Sequence, residues 1–229
     1  RSVLAALQRG DTALARQRLG WIVGRETKDL DAAEMLRAAA ETASENAVDG
    51  LFAPLFWMVI GTMAWTAAPE AALPGPLCLA WAFKAASTLD SMLGYRHGRL
   101  RWLGTAGARL DDGLTWIPCR LVALSLPLAA GRPDRTGAWL RAALIDGTPD
   151  PSPNAGVSQA AYAHAAGVQL GGINRYGQEW RSKPILAAGQ PEPDAQSVLR
   201  ILGLNRRLEV LWLLISGGMA LVAALSRIQ

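Results

Sequence analysis

Two carboxylates, Glu41 and Glu45, stand four residues apart within a segment of helical spacing, residues 32–48, and so share one helix face. Like charges placed this way repel by roughly 0.2–0.5 kcal/mol, so something must compensate them. Arg37, four residues before Glu41, offers an ordinary solvated face with an ion pair. The other reading is proton-transfer chemistry, because the polar run Glu41-Thr42-Ala43-Ser44-Glu45-Asn46-Ala47-Val48-Asp49-Gly50 gathers at the foot of a long apolar segment. Further along, Lys84, Thr88 and Asp90 lie at or inside a second apolar stretch, where an ionisable group is costly and is usually paired or functional. A lysine snorkelling from a helix end is the alternative there. Asp111 and Asp112, next to Arg109, are adjacent hard oxygen donors of the kind Mg²⁺ takes, and equally good helix N-cap material. The runs Pro151-Ser152-Pro153-Asn154-Ala155-Gly156 and Gly171-Gly172-Ile173-Asn174-Arg175-Tyr176-Gly177 are rich in turn residues whose backbone amides could hold an anion. No P-loop, HExxH or nucleophile-elbow pattern is present.

The elements that must position these groups are strongly apolar. Residues 51–68 carry no charge, and neither do residues 210–225 once Glu209 is passed; the latter are flanked by Arg206, Arg207 and Arg227. Both approach the length of a bilayer core. Residues 71–89 and 113–131 are weaker apolar stretches, the first carrying Lys84 with Pro74, Gly75 and Pro76, the second Pro118, Arg120 and Pro127, which favour a re-entrant segment. At 51% apolar and 18% charged residues the composition departs from that of a soluble domain. The predicted fold class is all-α, a polytopic membrane protein with about three to four transmembrane or re-entrant helices and a helical, loop-rich polar portion. The expected location is the cell (inner) membrane, crossed several times. The net charge of +4 resides in arginines dispersed beside apolar segments, as membrane anchors are, so no nucleic acid is expected as a partner. Cys78 and Cys119 sit inside apolar stretches and the only histidines are His97 and His164, so neither a disulfide framework nor structural zinc is expected.

The sequence reads as a single domain, 1–229, with N-terminal helices over 1–50, membrane helices over 51–131, a polar loop-rich module over 132–207 and a C-terminal membrane helix over 208–226. Residues 1–20 are predicted as one helix. Asp31 and Glu34 form a capping box that opens the helix of residues 32–48, expected to end before Gly50. Residues 132–193 are dense in Gly and Pro and are predicted as an ordered loop module, with helical spacing resuming at 195–204. No strand alternation and no repeat is visible. The chain opens at Arg1 with no signal-peptide pattern, so a native leader or a further N-terminal hydrophobic segment is expected to be lacking.

Taken in order, the blocks over about residues 11–204 resemble the adenosylcobinamide-phosphate synthase family of cobalamin assembly. The resemblance is carried by Ile22-Val23-Gly24-Arg25-Glu26-Thr27, the run from Glu41 to Gly50 with Ala53-Pro54-Leu55-Phe56, Thr88-Leu89-Asp90-Ser91-Met92-Leu93-Gly94-Tyr95, Ala108-Arg109-Leu110-Asp111-Asp112, Ile117-Pro118-Cys119-Arg120 and the Pro151 to Gly156 run. The chain departs at Ser87 and Thr115, where the family commonly has Asn, and at Pro149-Asp150, where a basic pair often stands. The family's N-terminal hydrophobic segment with its His-Pro motif has no counterpart.

The resemblance implies a carbon–nitrogen (acid–amine) ligase: ATP-dependent amide formation between the propionate carboxylate of a corrinoid, adenosylcobyric acid, and aminopropanol or its phosphate. A carboxylate needs activation, most simply as an acyl phosphate, and phosphoryl transfer needs Mg²⁺ and cationic clamps. On the positions that match, Asp90, Asp111 and Asp112 would hold the metal, Lys84, Arg25 and Arg109 would meet phosphates, and Glu41 or Glu45 would be the base for the amine. Asn46, Asp49, Thr88, Tyr95, Ser152 and Asn154 would bind and orient substrates. The implied cofactors are ATP and Mg²⁺, and the implied partners are the corrinoid, the amine, membrane lipid and a complex with other cobalamin-assembly enzymes. A non-catalytic membrane relative, scaffold or regulatory, is the alternative, and a corrinoid permease is a more distant one.

Overall fold

The computed structural model describes residues 1–68, 73–93, 101–176 and 179–225, and it is mostly helical. Contacts divide the chain into two compact units, Arg1–Asn46 with Ala123–Arg206 and Ala47–Val122 with Arg207–Gln229.

In the first unit the expected single N-terminal helix is two. α1 (Ser2–Gln8) ends near Gly10, which adopts φ +73°, and α2 (Thr12–Gly20) restarts on Asp11, whose carboxylate accepts the Leu14 amide at 2.9 Å. α3 (Ala32–Ala47) opens on the predicted capping box: Asp31 Oδ1 accepts the Glu34 amide at 2.8 Å and Glu34 Oε2 accepts the Asp31 amide at 2.9 Å. The helix does not stop before Gly50. It passes through a π-helical turn, Val48–Phe52, into α4 (Ala53–Ala67) of the second unit, and Asp49 and Gly50 lie in that turn. The wider turn keeps the backbone bonded while rotating the faces that follow.

The stretch expected to be a loop module is largely regular. α7 (Thr136–Gly147) and α8 (Ala155–Ala166) are followed by strands β1 (Leu170–Tyr176) and β2 (Glu179–Leu186), an antiparallel pair, and then by α9 (Ala195–Leu225). The hairpin corrects the all-α expectation. Its register runs Tyr176↔Glu179 to Gly172↔Lys183, then shifts so that Leu170 meets Leu186. Two residues of β2, Pro184 and Ile185, therefore face Gly171 alone, a β-bulge that accommodates a proline lacking an N–H. Gly171 adopts φ +86°, and a Cβ there would lie 1.9 Å from the Pro184 carbonyl oxygen. Only glycine fits.

The core of this unit is built from small residues. Met35, Ala38 and Ala40 of α3 are buried with Val157, Ala160, Tyr162 and Ala163 of α8 and with Val198 and Ile201 of α9. Polar side chains bridge the closely packed backbones: Ser158 donates to the Ser44 carbonyl at 2.7 Å and Asn205 to the Ala43 carbonyl at 3.1 Å. α7 and α8 approach most closely at Gly147 and Gly156.

In the second unit α4 packs against α5 (Pro76–Leu93), with Gly61 at the closest approach. α6 (Arg101–Ala129) begins in this unit and is unbroken through Pro118 and Pro127, so the expected re-entrant break is absent. Trp57 donates to the Leu114 carbonyl at 3.1 Å, tying α4 to α6, and Phe52 stacks on Trp212 of α9 with ring centroids 5.2 Å apart. The outer surfaces expose large apolar side chains, among them Trp65, Trp81, Met92, Trp102, Leu214 and Val222. Among the described residues one helix, Ala32–Ala67, is long and apolar enough to cross a membrane by length and composition.

The contact at Gly147 gives a direct test. A Cβ at Gly147 would lie 2.4 Å from the Val157 nitrogen, whereas Gly137 near the start of α7 has open space. Gly147→Ala is expected to destabilise the protein by about 1–3 kcal/mol through overpacking. Gly137→Ala should be neutral or stabilise it by up to about 1 kcal/mol, both read from thermal melts in detergent.

Candidate functional site

Glu41 and Glu45 do share a face of α3, but that face is not solvated. Glu41 is 4% exposed. Its compensating cation is Arg25, from the loop ahead of α3, and the side chains of this ion pair are 7% and 6% exposed. The Arg25 guanidinium also donates to Asn174 of β1, and the second carboxylate oxygen of Glu41 accepts the Gly171 amide at 3.0 Å. Arg37, expected as the ion-pair partner of Glu41, instead donates to the Gly171 carbonyl and, at 3.1 Å, to that of Ile173. The bulge at Gly171 thus turns its amide toward one side chain of α3 and its carbonyl toward another. The sequence expectation that the glycine run offers amides to an anion is met by the protein's own carboxylate.

Glu45, one turn further on, is half-buried. Gln159 of α8 donates to its Oε2 at 2.7 Å. Lys183 of β2 and Asp150, in the turn before α8, stand 3.7 Å apart beside it. Burial pushes the Glu45 carboxyl above its ordinary range; the Lys183 ammonium opposes this, Asp150 and Glu41 add to it, and the Gln159 hydrogen bond opposes it. Glu45 lies ahead of the apolar residues 51–67. Burial alone would favour loss of the Lys183 proton, but the negative groups around it, Glu45 and Asp150 foremost, together with Tyr176 and Glu41, hold the ammonium above its ordinary value. Glu45, Gln159 and Lys183 line a cleft of about 230 Å³, together with Arg25, Glu41, Thr42, Asn174 and Tyr176.

Ser152 and Asn154 shape this cleft indirectly. Asp150 Oδ1 accepts the Ser152 amide at 3.0 Å, and Ser152 Oγ accepts the amides of Asn154 and Ala155 at 3.3 Å each. These side chains hold the turn into α8, where Asn154 is the buried N-cap residue, so the turn's amides serve the fold. Asn46 is exposed at the end of α3 and does not line the cleft.

The second unit gathers a separate set around Asp111. The adjacent aspartates sit ten residues or more inside α6, which removes the N-cap reading. Asp111, ahead of the apolar residues 113–131, is pushed up to about 6 by burial, with Asp90 and Asp112 adding to the rise and Lys84 and a Ser87 hydrogen bond opposing it. Its Oδ1 is buried with no hydrogen-bond partner. Among the described residues no three carboxylate, histidine or cysteine side chains gather closely enough to cage a metal ion. Mg²⁺ carried by a nucleotide needs only one or two carboxylates, with phosphate and water completing its shell, and the orphaned oxygen of Asp111 beside two further aspartates suits that mode. Lys84, Thr88 and Arg109 are exposed, the Thr88 hydroxyl donating to the Lys84 carbonyl at 2.8 Å, and Asp49 is half-buried in the π turn. Tyr95 lies outside the described residues.

Of the expected site residues, Arg25, Glu41 and Glu45 thus share one cleft and Lys84, Asp90, Asp111 and Asp112 share one electrostatic neighbourhood. Sequence reasoning missed Lys183, Gln159 and Asp150. Asn174 and Tyr176 stood inside the run singled out for its glycines. Lys183 gave no signal, because its strand could not be recognised.

The first unit is thus a helical body with a hairpin, whose cleft gathers two carboxylates, Glu41 and Glu45, and two cations, Arg25 and Lys183. The chain belongs to the CobD/Cbib protein family, whose profile matches residues 1–205. It is 43% identical over 216 residues to the "Cobalamin biosynthesis protein CobD" of Synechocystis sp., covering 94% of this chain and 60% of that protein. It is 39% identical over 220 residues to the "Cobalamin biosynthesis protein CbiB" of Salmonella typhimurium, covering 95% and 62%, and 39% identical over 221 residues to the CobD of Klebsiella pneumoniae, covering 96% and 63%. The chain therefore spans about three-fifths of the length of the curated relatives it matches. No solved structure matches it.

Two measurements check this arrangement. Glu41→Gln strands the Arg25 guanidinium in a buried site, and removing one partner of such a pair is expected to cost about 3–5 kcal/mol in a detergent melt. For Asp111 the folded value lies above the ordinary 3.8, so its contribution to stability is full below 3.8 and lost as pH rises through about 6. The stability of the wild type should therefore fall relative to Asp111→Asn across that window.

Proposed function

We propose that this chain takes part in cobalamin assembly as the acid–amine ligase of the pathway, forming the amide between adenosylcobyric acid and aminopropanol or its phosphate. The observation that carries the reading is the pairing around the cleft. Glu41 is paired with Arg25 and Asp150 with Lys183, which leaves half-buried Glu45, held by Gln159, as the carboxylate of this group that no ion pair engages among the described residues. Such a site favours a small ammonium and can then take its proton. At about 230 Å³ the cleft is below the roughly 300–1,000 Å³ of pockets for drug-sized ligands, which suits the amine and the reacting acyl end rather than a whole corrin ring.

In this reading the substrate carboxylate attacks the terminal phosphorus of ATP and ADP leaves. The neutral amine then attacks the acyl carbon, Glu45 accepts the amine proton and inorganic phosphate departs as the C–N bond forms. Glu41 holds Arg25 and the hairpin in place beside it. Mg²⁺ arriving with ATP would neutralise phosphate charge, with Asp90, Asp111 and Asp112 as its carboxylate ligands and Lys84 and Arg109 as phosphate contacts. This reading puts residues 51–67 and 210–225 in the cell membrane in a multi-pass arrangement; the apolar helix Ala32–Ala67 and the exposed tryptophans and leucines of the second unit support a membrane location. The corrinoid, the amine, lipid and neighbouring assembly enzymes are the partners this assigns. The names carried by the Synechocystis and Salmonella relatives support the pathway.

The test is complementation of a cobalamin auxotroph lacking this step, by the full-length protein that contains this chain. Growth without added cobinamide, together with ATP-dependent amide formation in isolated membranes, is the expected result. Glu45→Gln should lower that rate by about 10²–10⁴-fold, the range of a lost general base, with membrane insertion retained. Expression with no amide formed would reject the reading.

A further inference from the structure

We infer that Lys183 and Asp150 are positioning residues for Glu45, an opposed pair that sets how readily this carboxylate takes up and releases a proton in the cleft. The inference rests on the reading of Glu45 as the group that meets the amine, and it assigns a task to two residues outside every motif of the sequence.

The geometry is specific. Lys183 lines the cleft from β2, Asp150 belongs to the turn before α8, and at 3.7 Å they are joined by charge without a hydrogen bond. The Asp150 side chain is 6% exposed and its Oδ1 already accepts the Ser152 amide, so it is fixed by the same turn that opens α8. Lys183 is 24% exposed, opens to the cleft and remains charged. Gln159 occupies Oε2 of Glu45, which fixes the carboxylate plane. The other charged or titratable groups facing Glu45 are Glu41 on its own helix, Arg25 in the loop ahead of α3 and Tyr176 on β1. Arg25 is committed to Glu41 and Asn174, which leaves Lys183 as the cation that acts on Glu45.

The two neighbours push in opposite senses. An ammonium beside a half-buried carboxylate favours its ionised form, and a second carboxylate disfavours it. Removing the lysine must therefore move Glu45 titration up, and removing the Asp150 charge must move it down. A merely structural role for either residue gives no such opposition, since loosened packing lets in water and shifts Glu45 downward in both variants.

The experiment is the pH dependence of ethanolamine binding to the purified full-length protein in detergent, followed by calorimetry across the pH range over which this amine stays protonated. Binding should strengthen as pH rises through the Glu45 midpoint, and Glu45→Gln should abolish that rise. The midpoint should move to higher pH in Lys183→Met, return close to wild type in Lys183→Arg and move to lower pH in Asp150→Asn. Should Lys183→Met not fold, the isosteric Asp150→Asn shift decides alone. Shifts of the same sign in both variants, no shift in Asp150→Asn, or a midpoint that survives Glu45→Gln would overturn the inference. If the opposed shifts appear in a protein that forms no amide, the ligase reading fails and this one stands.

Discussion

The buried carboxylate of Glu41 is the joint on which the first unit turns. One of its oxygens holds the Arg25 guanidinium and the other holds the Gly171 amide, so a helix, a loop and a strand are fixed by a single side chain. Neither the loop nor the hairpin could be positioned by apolar packing alone. The loop carries few buried side chains, and the hairpin is a two-stranded sheet, a structure that is marginal in water without something to lean on. Arg37 completes the arrangement from one turn earlier by taking the carbonyls of the same strand. The cleft exists because these ties hold the hairpin over α3 with Glu45 next in line.

That dependence separates two roles that look alike in sequence. Glu41 and Glu45 have the same chemistry and the same helix face, yet the first is saturated with donors and the second keeps an oxygen available. A carboxylate whose oxygens both serve the fold is not free to meet a substrate, whereas one raised by burial and trimmed by a neighbouring ammonium is suited to accept a proton.

Much of this fold was legible from residue types alone, and the exceptions have physical causes. The capping box at Asp31 and Glu34 and the long apolar helix after it follow local rules, and the structure bears them out. α8 was missed because it is buried on nearly every side, so its Ala-rich run has no polar stripe to reveal a helical period. The hairpin was missed because Gly171, Gly172 and Pro184 erase strand alternation at the positions where the bulge needs them. The alternative that paired Arg37 with Glu41 fails because spacing along a helix says nothing about a strand 134 residues away in the chain. Glu41 and Glu45 were found by spacing, whereas Lys183, Asp150 and Gln159 became visible only once three distant segments were seen together.

The bulge also settles a matter of parity. In a regular strand Lys183 and Leu186, three residues apart, would point to opposite faces. Here Leu186 is 2% exposed in the core while Lys183 lines the cleft, and both can face inward because the extra residue of β2 opposite Gly171 absorbs half a period. A strand of the same length paired without the bulge would have to send either the core leucine or the cleft cation outward. The bulge is therefore as much a part of the site as any side chain in it, and the one residue that permits it is Gly171, which contributes no side chain at all.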